Sequence, residues 1–406
     1  MAGDPDDIGS SSDMAVACRN GEVVWVGPDR TVESQLALAP DGVEIDATGC
    51  TVTPGWIDPH AHLPSYGSRA YEFARRLAGA SYLEILAAGG GIIETVDAVA
   101  NATDSQLVTA GKADLDAMLL GGVTTVEAKS GYGLTTPAEL RLLRLAAELG
   151  RSHPVTVIPT FLGAHAVPPP YKGNSDAFVE LLLDEMLLAA AQQGLSEFCD
   201  VFCEQGVFSA AQSRRILEKG RELGMTPKLH ADEMSWSGGA ELAGEVGAAS
   251  ADHLLFASAA GARAMALSGT VGVLLPVTVL SLMAEGVEVG HCRAQAGRLR
   301  EAGVRLGIGT DYNPGTAPCR SLQLAVSLAC RIFGLTPAEA LLGVTSVAAV
   351  AVRRADVVGK LAPGYRADVT VWAVGSHEDI PYRIGDNLVR DVVKNGQVVV
   401  RDGCLC

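Results

Sequence analysis

Eight short apolar runs punctuate the middle of the chain: TVTPGWID, GVTTVEAK, PVTVIPTF, FCDVFC, PKLHAD, SADHLL, VGVLLP and RLGIGTD. They are continuous rather than alternating, which is the pattern of parallel strands covered on both faces. Helical patterns with start signals separate most of them. Thr136–Glu139 and Thr336–Glu339 both read Thr-Pro-Ala-Glu, the spacing of a capping box with proline at the first helical position. Ser209–Gln212 repeats the box with glutamine. Eight strands, each followed by helix, predict a (β/α)8 barrel of the α/β class. The first connection, about residues 59–122, is long and predicts extra helices over one rim.

The two ends follow a different pattern. AVACRNGEVVWVG and DVVKNGQVVVRDG each set an Asn-Gly pair between alternating apolar runs, a strong hairpin signal. RADVTVWAV adds another strand near the C-terminal end. A small β-sandwich module built from both termini is therefore expected, as residues 1–52 and 356–406, with the barrel over 53–355.

Composition sharpens this picture in a few places. The 406 residues are 48% hydrophobic and only 19% charged, enough for a large core and unlike a disordered chain. A formal net charge of −16 argues against nucleic acid and anionic membranes as partners. No run reaches about 18 apolar residues and the acidic start lacks the pattern of a signal peptide, so a cytoplasmic protein is expected. The nine cysteines are scattered without a disulfide framework and read as reduced thiols.

The candidate chemistry lies at the C-terminal ends of the strands, where barrels of this kind carry their sites. Those ends supply His60 and His62, Lys129 and Tyr132, His165, His230 with Glu233, His253, and Asp311 with Asn313. Five of the eight histidines fall in this set, whereas His153, His291 and His377 lie in connections. His60 and His62 are two apart, so in a strand both imidazoles share one face. A lone strand-end histidine is more often a hydrogen-bonded structural residue, but five on one rim with an aspartate predict a metal site. His60, His62, His230 and Asp311 form a set of three nitrogens and one oxygen that suits Zn2+ or iron. Lys129 is the residue to suspect as a bridge to a second metal. Such a lysine usually stands on strand three or four, so one metal is expected.

The longer motifs carry a family resemblance. PGWIDPHAHL, GASYLEILAAGGGI, VEAKSGYGL, FLGAHAVP, DVFCEQGVFS, KLHADE and GTDYNPGT closely resemble the imidazolonepropionases of the amidohydrolase superfamily, in the same order over roughly residues 50–385. The resemblance implies hydrolysis of 4-imidazolone-5-propanoate to N-formimidoyl-L-glutamate in histidine degradation, with one zinc or iron and a homodimeric enzyme. It places the metal on His60, His62, His230 and Asp311. It places substrate on Arg69, Tyr132, His165, Glu233, His253, Asn313, Gly315 and Thr316. Glu233 and Asp311 are rivals for carrying the proton, and His253 is placed to bond the ring or the attacking oxygen. Arg69 offers the planar fork that a propanoate carboxylate accepts. The turn from Asn313 to Thr316 offers backbone N–H groups and a hydroxyl on the same side.

Some stretches depart from the family pattern. Alanine stands between the two histidines where threonine is common, and LPSYGSR replaces the usual apolar, glycine-rich path to Arg69. No matched ligand is lost. Other readings of the residues exist: Arg69 pairing only with Glu72, Tyr132 as a capping aromatic, and Gly89–Ile92 as a phosphate loop. The last lacks the following Lys-Ser/Thr. Two rival functions stand beside the hydrolase: deamination of another heterocycle, which has no need of Arg69 and Tyr132, and a metal-free scaffold, which typically loses ligands.

Overall fold

The computed structural model describes residues 8–80, 90–283 and 286–406. Residues 81–89, within the GASYLEILAAGGGI motif, lie outside the described residues, as do part of the connection after His62 and the first glycine of Gly89–Ile92.

Fifteen strands occur among the described residues. β4 (Trp56–Ala61), β5 (Val123–Lys129), β6 (Thr156–Ala164), β7 (Phe198–Cys203), β8 (Thr226–Ala231), β9 (Ser250–His253), β10 (Val271–Leu274) and β11 (Leu306–Ile308) form one parallel sheet in chain order. The sheet closes on itself just past β11, where Ala61 bridges Tyr312. The Asp311 N–H donates to the His60 carbonyl at 2.9 Å, and the His62 N–H donates to the Tyr312 carbonyl at 2.9 Å. This is the expected barrel, and three of the residues singled out for metal binding line its seam. The long first connection holds helices at Ala70–Leu77, Ile92–Asn101 and Asp104–Leu120.

The first apolar run was expected to be one strand, and it is two. β3 (Thr51–Pro54) pairs antiparallel with β12 (Val369–Trp372), whereas β4 enters the barrel. Gly55 makes the break: its N–H donates to the Asp368 carbonyl at 2.8 Å, and the next N–H, of Trp56, donates to Gly122 at 3.0 Å. A Cβ at Gly55 would lie 2.4 Å from Thr124 Oγ1, so the two sheets approach too closely for any other residue. Trp56 and Trp372, both fully buried, pack with ring centroids 4.4 Å apart and join barrel to module.

β12 and β3 belong to a five-stranded antiparallel sheet with β13 (Val389–Lys394), β14 (Gln397–Arg401) and β15 (Cys404–Leu405). β1 (Met14–Arg19) and β2 (Glu22–Pro28) form a separate hairpin. Asn20 and Gly21, like Asn395 and Gly396, have positive φ, as the tight hairpin turn requires. Ala367 ties the two turns together: its N–H donates to Gly21 O at 2.8 Å, and the Gly396 N–H donates to its carbonyl at 2.9 Å.

Two of the three expected capping boxes form, at Ser209 and at Thr336. The box at Thr136 does not. Thr135 is the N-cap, and Glu139 turns away to accept from the N–H groups of Gly131, Gly133 and Leu134 at 3.0, 2.7 and 2.9 Å. That buried carboxylate fixes the loop carrying Tyr132.

Candidate active site

The side-chain period of two along β4 turns Asp58, His60 and His62 to one face. There they meet His230 from the end of β8. One ligand atom from each of His60, His62 and His230 lies within 4.8 Å of the others, and all three rings are buried. Asp311, held at φ +54° beyond β11, brings Oδ1 to 3.3 Å from His60 Nε2 and 3.2 Å from His62 Nε2. The structure thus gathers the four residues that the strand ends pointed to.

A layer of buried charge lies beneath them. Asp252 Oδ2 is 2.6 Å from His60 Nδ1, and Asp200 Oδ1 is 3.1 Å from His230 Nδ1. These carboxylates fix which ring nitrogen carries the proton and leave Nε2 facing the cluster. The Lys129 ammonium lies 2.6 Å from Asp200, 2.8 Å from Glu127 and 3.5 Å from Asp252. Lys228 pairs with Glu127 and donates to the Pro59 carbonyl at 3.3 Å. Lys129, suspected as a metal bridge, is thus the centre of an ion-pair network. Sequence reasoning passed over Asp58, Glu127, Asp200, Lys228 and Asp252. The period of two was available for three of them: Asp58 precedes His60, Glu127 precedes Lys129 and Lys228 precedes His230 by two residues on buried strands.

On the solvent side, His165 stacks on His62 with centroids 4.9 Å apart and rings tilted by 10°. The Tyr132 ring is 5.6 Å from that of His62 and 5.3 Å from that of His165. His165 Nδ1 lies 3.0 Å from Gly131 O, a donor geometry that leaves Nε2 as the unprotonated face of a neutral ring. His253, at φ +74°, sets Nδ1 3.6 Å from Glu233 Oε1. Glu204, in the CDVFCE run that offered no obvious ligand, accepts from the N–H groups of Glu233 and Met234, both at 3.0 Å, and so anchors that loop. A cavity of about 350 Å³ adjoins Glu233, lined also by Phe256, Leu282 and His291.

Arg69 and the Asn313–Thr316 turn come together, with a difference from expectation. Arg69 Nε donates to Glu72 at 2.9 Å, so the pairing weighed as an alternative is present. Glu72 is itself held by the Gly91 N–H at 2.6 Å. The N–H groups of Gly315 and Thr316 both donate to Asn313 Oδ1 at 2.8 Å, so the turn satisfies them internally. Gly315 instead supplies space: a Cβ there would lie 2.1 Å from Arg69 Nη1.

The amidohydrolase family model matches residues 51–399. An imidazolonepropionase of Geobacillus kaustophilus (strain HTA426) is 50% identical over 399 residues, covering 98% of this chain and 92% of that protein. One from Haloarcula marismortui is 46% identical over 387 residues, covering 95% and 90%. This chain belongs to the imidazolonepropionases of the amidohydrolase family. Solved structures that are more distant in sequence share the fold. They include a zinc-bound adenosine deaminase from Xanthomonas campestris (TM-score 0.71, 19% identity, 97% of this chain and 90% of that one) and a triazine hydrolase variant (TM-score 0.74, 17% identity, 96% and 90%).

The donor set here suits a divalent metal. His230 Nε2 is buried and lacks a hydrogen-bond partner among the described residues, and His60 Nε2 faces only the Asp311 carboxylate at 3.3 Å, although each ring's other nitrogen is engaged. Uncompensated buried polar atoms are costly, and a cation among them relieves that cost. Burial pushes the His62 imidazole down to about 4, against the pull of Asp311, which keeps it neutral and able to ligate. Burial and Lys129 also push His60 down, but Asp252 and Asp311 outweigh them and raise it to about 9 without a metal. Burial raises Asp311, yet His60 and His62 hold its carboxyl well below the usual range. Burial keeps His165 and His253 neutral, well below the ordinary histidine value.

Proposed function

We propose that this chain hydrolyses the cyclic amide C–N bond of 4-imidazolone-5-propanoate to N-formimidoyl-L-glutamate. The observation that carries the reading is the 50% identity to an imidazolonepropionase over 98% of the chain. In this reading His60, His62, His230 and Asp311 hold one Zn2+ or iron. Bound there, the metal supplies Lewis acidity and water with a pKa brought toward ~7.

The chain's own residues do the rest. The Glu233 carboxylate takes a proton from the attacking water as its oxygen bonds the ring carbonyl carbon, and returns it to the ring nitrogen as the C–N bond breaks. His253, neutral and beside Glu233, orients the attacking oxygen. Asp311 is the weaker rival for the proton, because its Oδ2 already accepts from the Thr278 hydroxyl. Thr278 carried no signal in the sequence, being a threonine within an apolar run. Arg69 receives the propanoate carboxylate with Tyr132 and the Asn313, Gly315 and Thr316 turn beside it, and His165 lies against the ring. The same reading makes the enzyme a cytoplasmic homodimer. Among the described residues no helix is long and apolar enough to cross a membrane.

The test is loss of imidazolone ultraviolet absorbance with fresh substrate, alongside His230→Ala and metal-stripped protein, with the product checked by mass. Decay that requires both His230 and metal supports the reading. A metal-filled wild type that consumes substrate no faster than buffer overturns it.

A further inference from the structure

Two of the histidines that could hold the metal come from distant strands, yet one ammonium connects them. His60 rests on Asp252 at 2.6 Å, His230 rests on Asp200 at 3.1 Å, and Lys129 Nζ lies 2.6 Å from Asp200 and 3.5 Å from Asp252. All these side chains except His230 are wholly inaccessible, and His230 nearly so. Bulk solvent does not reach the pairs, so each carboxylate's position depends on its cation. Glu127 holds Lys129 from below at 2.8 Å and is itself paired with Lys228, whose ammonium also reaches the carbonyl of Pro59, the residue before His60. Lys129 therefore has three anionic partners and little freedom to move.

We propose that Lys129 is a positioning residue that couples the two histidine arms of the metal centre through Asp200 and Asp252. The inference rests on the four-ligand reading of the site. Lys129 touches neither metal nor substrate. By sharing its charge between the two aspartates it sets where each carboxylate stands, and so where His60 and His230 aim Nε2. Outer hydrogen-bond partners of metal-bound histidines typically contribute 10- to 100-fold in metal affinity. A residue that orients two of them acts on that scale.

The test measures Zn2+ affinity of metal-stripped protein by competition with a chromophoric chelator, a readout independent of turnover. Lys129→Met alone leaves two buried carboxylates short of a cation and endangers folding. The working comparison is therefore Asp200→Asn against Lys129→Met/Asp200→Asn, which removes a charge pair together. Asp252 then loses its cation, and the double variant is expected to bind Zn2+ at least tenfold more weakly than Asp200→Asn. With Asp200→Asn/Asp252→Asn as background, adding Lys129→Met is expected to leave affinity unchanged or tighter, since nothing remains for Lys129 to orient and only its charge is lost. Equal affinity in the first comparison overturns the proposal. So does tighter binding, which is what removing a remote positive charge alone produces. An equal loss in both backgrounds would show a general effect on the fold and overturns it as well. If wild type itself fails to bind Zn2+ and His230→Ala changes nothing, the ligand reading fails instead, which separates the two claims.

Discussion

Gly315→Ala should disable recognition of the substrate carboxylate while leaving the fold and the metal centre intact. The Cβ of alanine would lie 2.1 Å from Arg69 Nη1 and 2.6 Å from Cζ. Ordinary contact begins near ~3.5 Å, so the guanidinium must retreat by about 1.4 Å. It cannot do so freely, because Glu72 holds Nε and Nη2 at 2.9 Å each and is itself tied to the Gly91 N–H. A misplacement of about 1 Å in a substrate-positioning group can cost on the order of 100-fold. A charge-assisted hydrogen bond contributes roughly 1.5–3 kcal/mol, or about 10- to 150-fold. The expected outcome is a 10- to 100-fold fall in kcat/KM, with metal content unchanged and melting temperature little altered. The assay is steady-state decay of imidazolone absorbance, repeated with a ring analogue lacking the carboxylate, for which wild type and variant should be equal. A variant within twofold of wild type on the full substrate would refute the placement of Arg69. So would an equal loss on the truncated analogue.

Other outcomes can be checked with the same protein. Thr336→Ala removes a formed capping box and should lower stability by about 1 kcal/mol in urea unfolding, whereas Thr136→Ala, whose hydroxyl caps no helix and bonds only Glu185 at the exposed surface, should shift it by less. Burial lowers the His153 imidazole below its ordinary value, despite Asp116 at 3.1 Å. Below about pH 6.5 the unfolded chain then binds a proton that the native one resists, so stability declines as pH falls. His153→Gln should flatten that part of a stability-versus-pH curve, and an unchanged slope would count against the burial argument. Chelation should lower the melting temperature as well as abolish turnover, because a ligand bound only to the native state at 100 times its Kd contributes about 2.7 kcal/mol. Identical melting with and without chelator would mean that the cluster holds no metal.

Much of this site was readable from strand ends, because in a barrel the C-terminal end of a strand is a place in space as well as in sequence. His60, His62, His230 and Asp311 met as that logic required. What escaped notice was carried by residues whose role depends on neighbours across the sheet. Asp200 and Asp252 sit in apolar runs and look like interruptions until the barrel brings histidines and Lys129 onto them. Glu139 matched a helix-capping pattern, but three unsatisfied N–H groups of the preceding loop made a stronger claim on it. The division of the first apolar run at Gly55 depended on the approach of Thr124, some 70 residues away in sequence. The N–H groups of the Asn313–Thr316 turn looked available until the Asn313 side chain was seen to take them.

The seam of the barrel gives the protein a history as well as a shape. Asp58 and Thr310, which bond directly beside the cluster, are 252 residues apart in the chain. Everything between them must be synthesised and laid into the sheet before His60 and His62 can face Asp311. Closing so long a loop is entropically slow, and the contacts that reward it come last. A nascent or partly folded chain thus carries the histidines without the cage. A chain cut short before its eighth barrel strand keeps the three histidines but lacks Asp311, and on the four-ligand reading it should hold a cation more weakly.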